Sequence, residues 1–171
     1  MTFTGYLTEL ATVLKVQQQL FEDNTFTTMT AEMYKNCATV LDGGRKTCKA
    51  ELAAGKLPEP DQVTVTAITG EMEVLSDIVK ALAVAREGYV PPQGAGSVGP
   101  GLADLEAARS PHASVRHRLD QLAGDVETAA SSAARHPGAA SSSQQTAEER
   151  PYRAVVIRME GEFRRGLRRS G

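Results

Sequence analysis

The chain has 171 residues, of which 41% are hydrophobic and 23% charged, with a formal net charge of −2. These values fit a soluble globular protein of one domain, or one domain plus a tail. No stretch approaches the roughly 18 consecutive apolar residues of a membrane span.

Aromatic residues make up 5% and Trp is absent, so burial must come from Leu, Val, Met and Ala, which suits slender packed helices. The charge is unevenly placed. Residues 1–147 hold twelve Lys/Arg against seventeen Asp/Glu, hence −5, whereas residues 148–171 hold seven Arg against four Glu, hence +3. An acidic body with a basic tail points to an acidic partner for that tail, or to a solvated helix whose own Glu residues offset its Arg. The opening 14 residues lack the basic start and apolar core of a secretory signal, and the first 30 carry one Lys and no Arg. With only two cysteines, the expected compartment is cytoplasmic or nuclear, with reduced thiols.

Leu7, Leu10, Leu14 and Phe21 repeat at helical spacing, with Gln17 between them and Tyr6, Val13 and Leu20 on one flank. They predict an amphipathic helix over 5–22 that ends at Asn24-Thr25. The next segment, 28–55, places Met29, Met33, Cys37, Leu41, Cys48 and Leu52 on one face. Gly43-Gly44 interrupts it, at a cost of about 2 kcal/mol relative to alanine within a helix. One helix with a weak centre is expected there, and two short helices around a turn are the alternative. Cys37 and Cys48, eleven residues apart, fall on the same side of a straight helix as two small buried hydrophobes, too far apart along the axis to bond.

Gly55 and Pro58 end that segment, and Pro60 suits the first turn of the next helix. Val65, Ile68, Met72, Leu75, Val79 and Leu82 then follow at alternating spacings of three and four. This a/d ladder buries one narrow seam against partner helices. It outweighs the strand-like alternation of Val63-Thr64-Val65-Thr66-Ala67. Val74 and Ile78 add apolar flanks, so the helix should touch more than one neighbour before Gly88 and Pro91-Pro92 stop it.

Residues 91–109 read as a Pro/Gly-rich linker. Within it, Gly94, Gly96 and Gly99 match G-x-G-x-x-G, but Pro91-Pro92 stand where the dinucleotide fingerprint needs a strand, and Pro100-Gly101 interrupt the start of a helix. Ser110-Pro111 open a second ladder, Val115, Leu119, Leu122, Val126, Ala129 and Ala133, within a helix over 110–136. Residues 137–147 form a low-complexity linker. The last segment, 148–171, carries Tyr152, Val155, Val156, Met159, Phe163 and Leu167 on one helical face, with Arg153, Arg164, Arg165, Arg168 and Arg169 adding charge.

No catalytic motif competes with these ladders. Arg45, Lys46 and Lys49 follow the Gly pair without matching the P-loop pattern. His112 and His117 are five apart and so fall on different helical faces, and no Cys, His or acid set has zinc spacing. Glu71 and Glu73 are two apart and do not face each other. No cofactor is implied.

The sequence therefore predicts an all-α protein, an antiparallel helical bundle of coiled-coil-like helices with a basic, amphipathic C-terminal helix. Residues 1–90 form a three-helix unit within it. The expected role is non-enzymatic: a structural or adaptor subunit of a larger assembly, forming homo- or hetero-oligomers by helix-to-helix contact with other protein subunits. The expected contact residues are Val115, Leu119, Leu122 and Val126, whose ladder lacks an equal partner in 1–90, together with Tyr152, Val155, Val156, Met159, Phe163 and Leu167. The alternative is a nucleic-acid-associated accessory protein, with Arg164, Arg165, Arg168 and Arg169 as phosphate-binding candidates. An anionic membrane surface is a third partner for the same helix.

Overall fold

A computed structural model describes residues 1–91 and 100–136. Four helices follow in chain order: α1 (Phe3–Asp23), α2 (Ala31–Ala54), α3 (Glu59–Gly88) and α4 (Pro100–Ala134). Local chemistry sets most of their ends. The Thr2 side chain caps α1 by accepting from the Gly5 amide at 3.1 Å, and Thr30 caps α2 by accepting from the Met33 amide at 3.2 Å. Gly55, at φ 66°, closes α2 in the left-handed conformation that an L side chain resists. Pro60 lies in the first turn of α3 with Glu59 and Asp61, where a missing amide is harmless and negative charge is favoured.

Cross-helix pairs show the topology. Glu22 meets Arg116 while Lys15 meets Glu127, so α1 and α4 run antiparallel. Lys35 meets Glu87 while Arg45 meets Glu73, so α2 and α3 do too. Arg118 holds Glu71 while Ser132 reaches Asp61, which sets α4 against α3 in the same way. The result is an up-down-up-down four-helix bundle in which α2 lies along α3, α1 lies along α4, and α3 also packs on α4.

The core follows the ladders. Leu7, Leu10, Leu14 and Phe21 of α1 are buried, with Cys37, Leu41 and Cys48 of α2 and the full Val65–Leu82 seam of α3. Both cysteines are free and buried, and burial pushes each thiol up to about 12. On Cys48 that effect is partly opposed by a hydrogen bond with Thr69.

Three features bear on the sequence expectation. First, α2 runs unbroken through Gly43-Gly44, as the single-helix reading expected. Gly44 is buried, and a Cβ there would sit 2.7 Å from the Met72 sulfur and 3.2 Å from Leu10 Cδ1. The glycine is a close-approach residue at the meeting of three helices, not a turn former.

Second, α4 starts at Pro100, ten residues before the expected start and inside the expected linker. Proline is welcome in a first turn, where its missing N–H has no helical partner. The helix also continues through Pro111. An internal proline costs about 3 kcal/mol, and burial of Ala108 and His112 on either side of it offsets that cost.

Third, α4 packs into the bundle with the three helices of residues 1–90. α4 packs along α1 and α3, and Val115, Leu119, Leu122, Val126, Ala129 and Ala133 are all buried. Small residues in the second half of that ladder let α4 lie close to its neighbours. The ladder that lacked a partner on paper has two, because Leu7–Phe21 and the flank of α3 share it. The G-x-G-x-x-G stretch and the C-terminal segment 137–171 lie outside the described residues.

Candidate interaction surface

Val115, Leu119, Leu122 and Val126 are core residues of the bundle, each no more than 1% exposed. They are therefore occupied inside the chain, which removes them as a contact face for another subunit. Tyr152, Val155, Val156, Met159, Phe163, Leu167 and the four arginines Arg164, Arg165, Arg168 and Arg169 lie outside the described residues. Arg45 and Lys49 are engaged with Glu73, and Arg45 also approaches Asp42 at 3.8 Å.

Polar chemistry inside the bundle is structural in form. At one end, Tyr34 of α2 and His112 of α4 form a buried hydrogen bond of 2.7 Å, and His112 Nε2 lies 2.9 Å from the Asn24 carbonyl. A carbonyl only accepts, so Nε2 carries the proton, and in the neutral ring Nδ1 then accepts from the Tyr34 hydroxyl. Phe21 and Phe26 pack against the pair, and Tyr89 packs edge-on against Phe26. Burial raises the Tyr34 phenol well above its ordinary value, against a smaller opposing effect of Arg86. Arg86 donates to the Met29 carbonyl at 2.9 Å and to the Thr27 carbonyl at 3.2 Å, fastening the α1–α2 loop to the end of α3.

At the other end, Asp61 is buried and accepts from Ser132 at 2.7 Å, with its second oxygen 3.7 Å from His136. On the α2–α3 flank, burial alone would raise the Asp42 carboxyl. Hydrogen bonds from Lys80 and Ser76 outweigh it and hold the group below its ordinary value. Among the described residues, no group of three or more His, Cys, Asp or Glu side chains could hold a metal ion. No described helix is long and apolar enough to cross a membrane.

The outer face of α3 stands apart from these paired surfaces. Val63, Ala67, Gly70, Val74, Asp77, Ala81, Val84 and Gly88 are all exposed. They follow one another at alternating spacings of four and three, a second a/d ladder on the side opposite the core seam. Val63 is 68% exposed, Val74 45% and Val84 69%. Asp77 is the one charged member of this stripe. The exposed charges of the other helices lie largely in pairs between helices, as Lys15 with Glu127, Glu22 with Arg116 and Lys35 with Glu87, and the solvent side of α1 carries Thr8, Thr12, Val16 and Gln19.

Sequence reasoning found the apolar flank at Val74 but missed the ladder it belongs to. The signal was present in the spacing. It was hidden because Ala and Gly occupy half of its positions and score weakly as hydrophobic. Comparison with protein-family models, curated proteins and solved structures found no match for this chain.

Proposed function

We propose that this protein is a non-enzymatic structural or adaptor subunit that acts by helix-to-helix contact, with the outer face of α3 as its contact surface. One observation carries the reading: a surface ladder of eight positions with heptad spacing and a single charge, on a helix whose opposite face already fills the core. A solvated helix face needs no such periodicity, and one with a single charge over seven turns is costly to leave in water. Its small residues allow close approach, so the fitting partner is an amphipathic helix that brings large side chains of its own.

The test places a photo-crosslinking side chain at Ala67 or Ala81 in the full chain, in the cells that make it, with His117 on the outer face of α4 as the control position. A discrete adduct with another polypeptide from Ala67 and Ala81, and none from His117, supports the reading. Equal labelling from all three positions, or adducts from none, overturns it.

A further inference from the structure

The stripe on the outer face of α3 carries one charge that nothing in the bundle answers. We propose that its partner is an amphipathic helix of another polypeptide, with large apolar residues in its own ladder and a single basic residue near the middle that pairs with Asp77. The inference rests on the reading of that face as a helix-docking surface and adds the chemistry of what docks there.

The first observation is which charges of α3 are already engaged. From Glu71 to Glu87 the helix has six charged residues. Glu71 accepts from Arg118 at 2.7 and 2.9 Å. Glu73 takes Arg45 and Lys49, Lys80 pairs with Asp42 at 2.7 Å, and Glu87 pairs with Lys35. Arg86 donates to the Met29 and Thr27 carbonyls. These five side chains reach to α2, to α4 or to the α1–α2 loop. Asp77 alone of the six has no ion-pair or hydrogen-bond partner among the described residues.

The second is where that carboxylate stands. Asp77 lies between Val74 and Ala81, with Val63, Ala67 and Gly70 before it and Val84 and Gly88 after it. A helix laid along the stripe covers it from both sides and takes it out of water. That is costly unless a basic group enters with it. An apolar residue opposite Asp77 is therefore penalised, and an acidic one more so. An arginine or lysine there supplies the missing partner and fixes the register of the two helices. Asp77 is about 21 Å along the axis from Val63 and about 16 Å from Gly88. The basic residue thus belongs near the middle of a partner segment of about seven turns.

The third is side-chain size. Ala67, Gly70, Ala81 and Gly88 make half of the stripe, and a Cβ at Gly70 or Gly88 would meet nothing within 4 Å. Small against small buries little area, so the large side chains must come from the partner. A second copy of α3 lacks them. It also brings its own Asp77: directly opposite in a parallel pair, and about 4.5 Å away along the axis in an antiparallel pair that overlaps the whole stripe. Like charge opposes both arrangements.

The test titrates the purified full chain into two fluorescently labelled helical peptides of about seven turns. Both carry leucine along one ladder, and the middle ladder position holds arginine in one and glutamate in the other. The arginine peptide should bind about tenfold or more tightly than the glutamate peptide, read by anisotropy. Asp77→Lys should reverse that order. It alters an exposed side chain without contacts in the bundle, so folding is not at stake. Asp120→Lys, the same charge change at an exposed position of α4, should leave the order as it was. Val63→Gln with Val84→Gln should weaken both peptides alike.

Binding of neither peptide overturns the proposal. So does equal binding of the two, or a reversal by Asp120→Lys as complete as that by Asp77→Lys. A dimer of the chain alone in sedimentation, dissolved by Val63→Gln with Val84→Gln, overturns it as well and assigns the face to a second copy. The outcome is separable from the crosslinking test. Adducts from Ala67 and Ala81 together with equal peptide binding would keep the contact face and remove its basic partner. Arginine-selective binding without intermolecular adducts would keep the recognition at Asp77 and remove the adaptor role.

Discussion

The Tyr34 hydroxyl donates to His112 Nδ1 across 2.7 Å of the bundle interior, and through His112 Nε2 the same ring reaches the Asn24 carbonyl that ends α1. One imidazole thereby ties together α2, α4 and the exit of α1. Breaking the bond from the tyrosine side leaves a buried acceptor without a partner. Tyr34→Phe should lower stability by about 1–2 kcal/mol in urea denaturation. A double-mutant cycle with His112→Ala should show a coupling of about 0.5 kcal/mol or more. Additive losses would mean that the two side chains act separately.

Gly44 and Gly70 make a matched pair for testing why glycines stand inside long helices. Alanine is favoured over glycine in a helix by about 1 kcal/mol. At Gly70 a Cβ meets nothing within 4 Å, whereas at Gly44 it collides with Met72 and crowds Leu10. Gly70→Ala should therefore raise the melting temperature. Gly44→Ala should lower it, because about 1–3 kcal/mol of overpacking outweighs the propensity gain. Two substitutions of the same sign would remove the close-approach account of the unbroken α2.

Those glycines also show what the sequence could and could not convey. The α1 stripe, the α3 seam, the same-side cysteines and the all-α antiparallel bundle were legible because large apolar residues recur at helical spacing. Gly43-Gly44 left a turn open as the alternative because turn propensity is local, while the reason for Gly44 lies 28 residues away at Met72. Pro100 and Pro111 misled, since one falls in a first turn and the other is carried by tertiary burial. The candidate surface was least legible. Its ladder alternates Val with Ala and Gly, and only the burial of the opposite face shows that this one points outward.

Gln17 occupies a core position of the α1 ladder, and its side-chain oxygen is buried with no hydrogen-bond partner among the described residues. Gln17→Leu replaces an unsatisfied polar group with an apolar one of similar size. It should stabilise the fold by about 1 kcal/mol, seen as a higher urea midpoint with an unchanged slope. A loss of stability would show that the Gln17 amide contributes more than its unsatisfied oxygen costs.

The buried thiols set an alkaline limit. The folded values of Cys37 and Cys48 lie up at about 12, above their ordinary value of 9.0. The unfolded chain ionises first as pH rises, so the stability linked to the neutral thiols is complete below pH 9 and falls between pH 9 and 12. The expected observation is a declining urea midpoint across that window, with a smaller decline in Cys37→Ala once its lower starting stability is subtracted. In the native protein at neutral pH, both thiols should react with a thiol reagent only as fast as the fold opens. Prompt labelling of either would contradict their burial.

The most direct test of the account compares Val74→Arg with Leu119→Arg in the full chain, measuring both the urea midpoint and the intermolecular adducts formed from Ala81. If the outer face of α3 makes the contacts and the α4 ladder belongs to the core, Val74→Arg keeps the midpoint and abolishes the adducts, while Leu119→Arg collapses the fold. A Val74→Arg protein that unfolds like Leu119→Arg, or that keeps its adducts, would contradict the assignment of the two ladders.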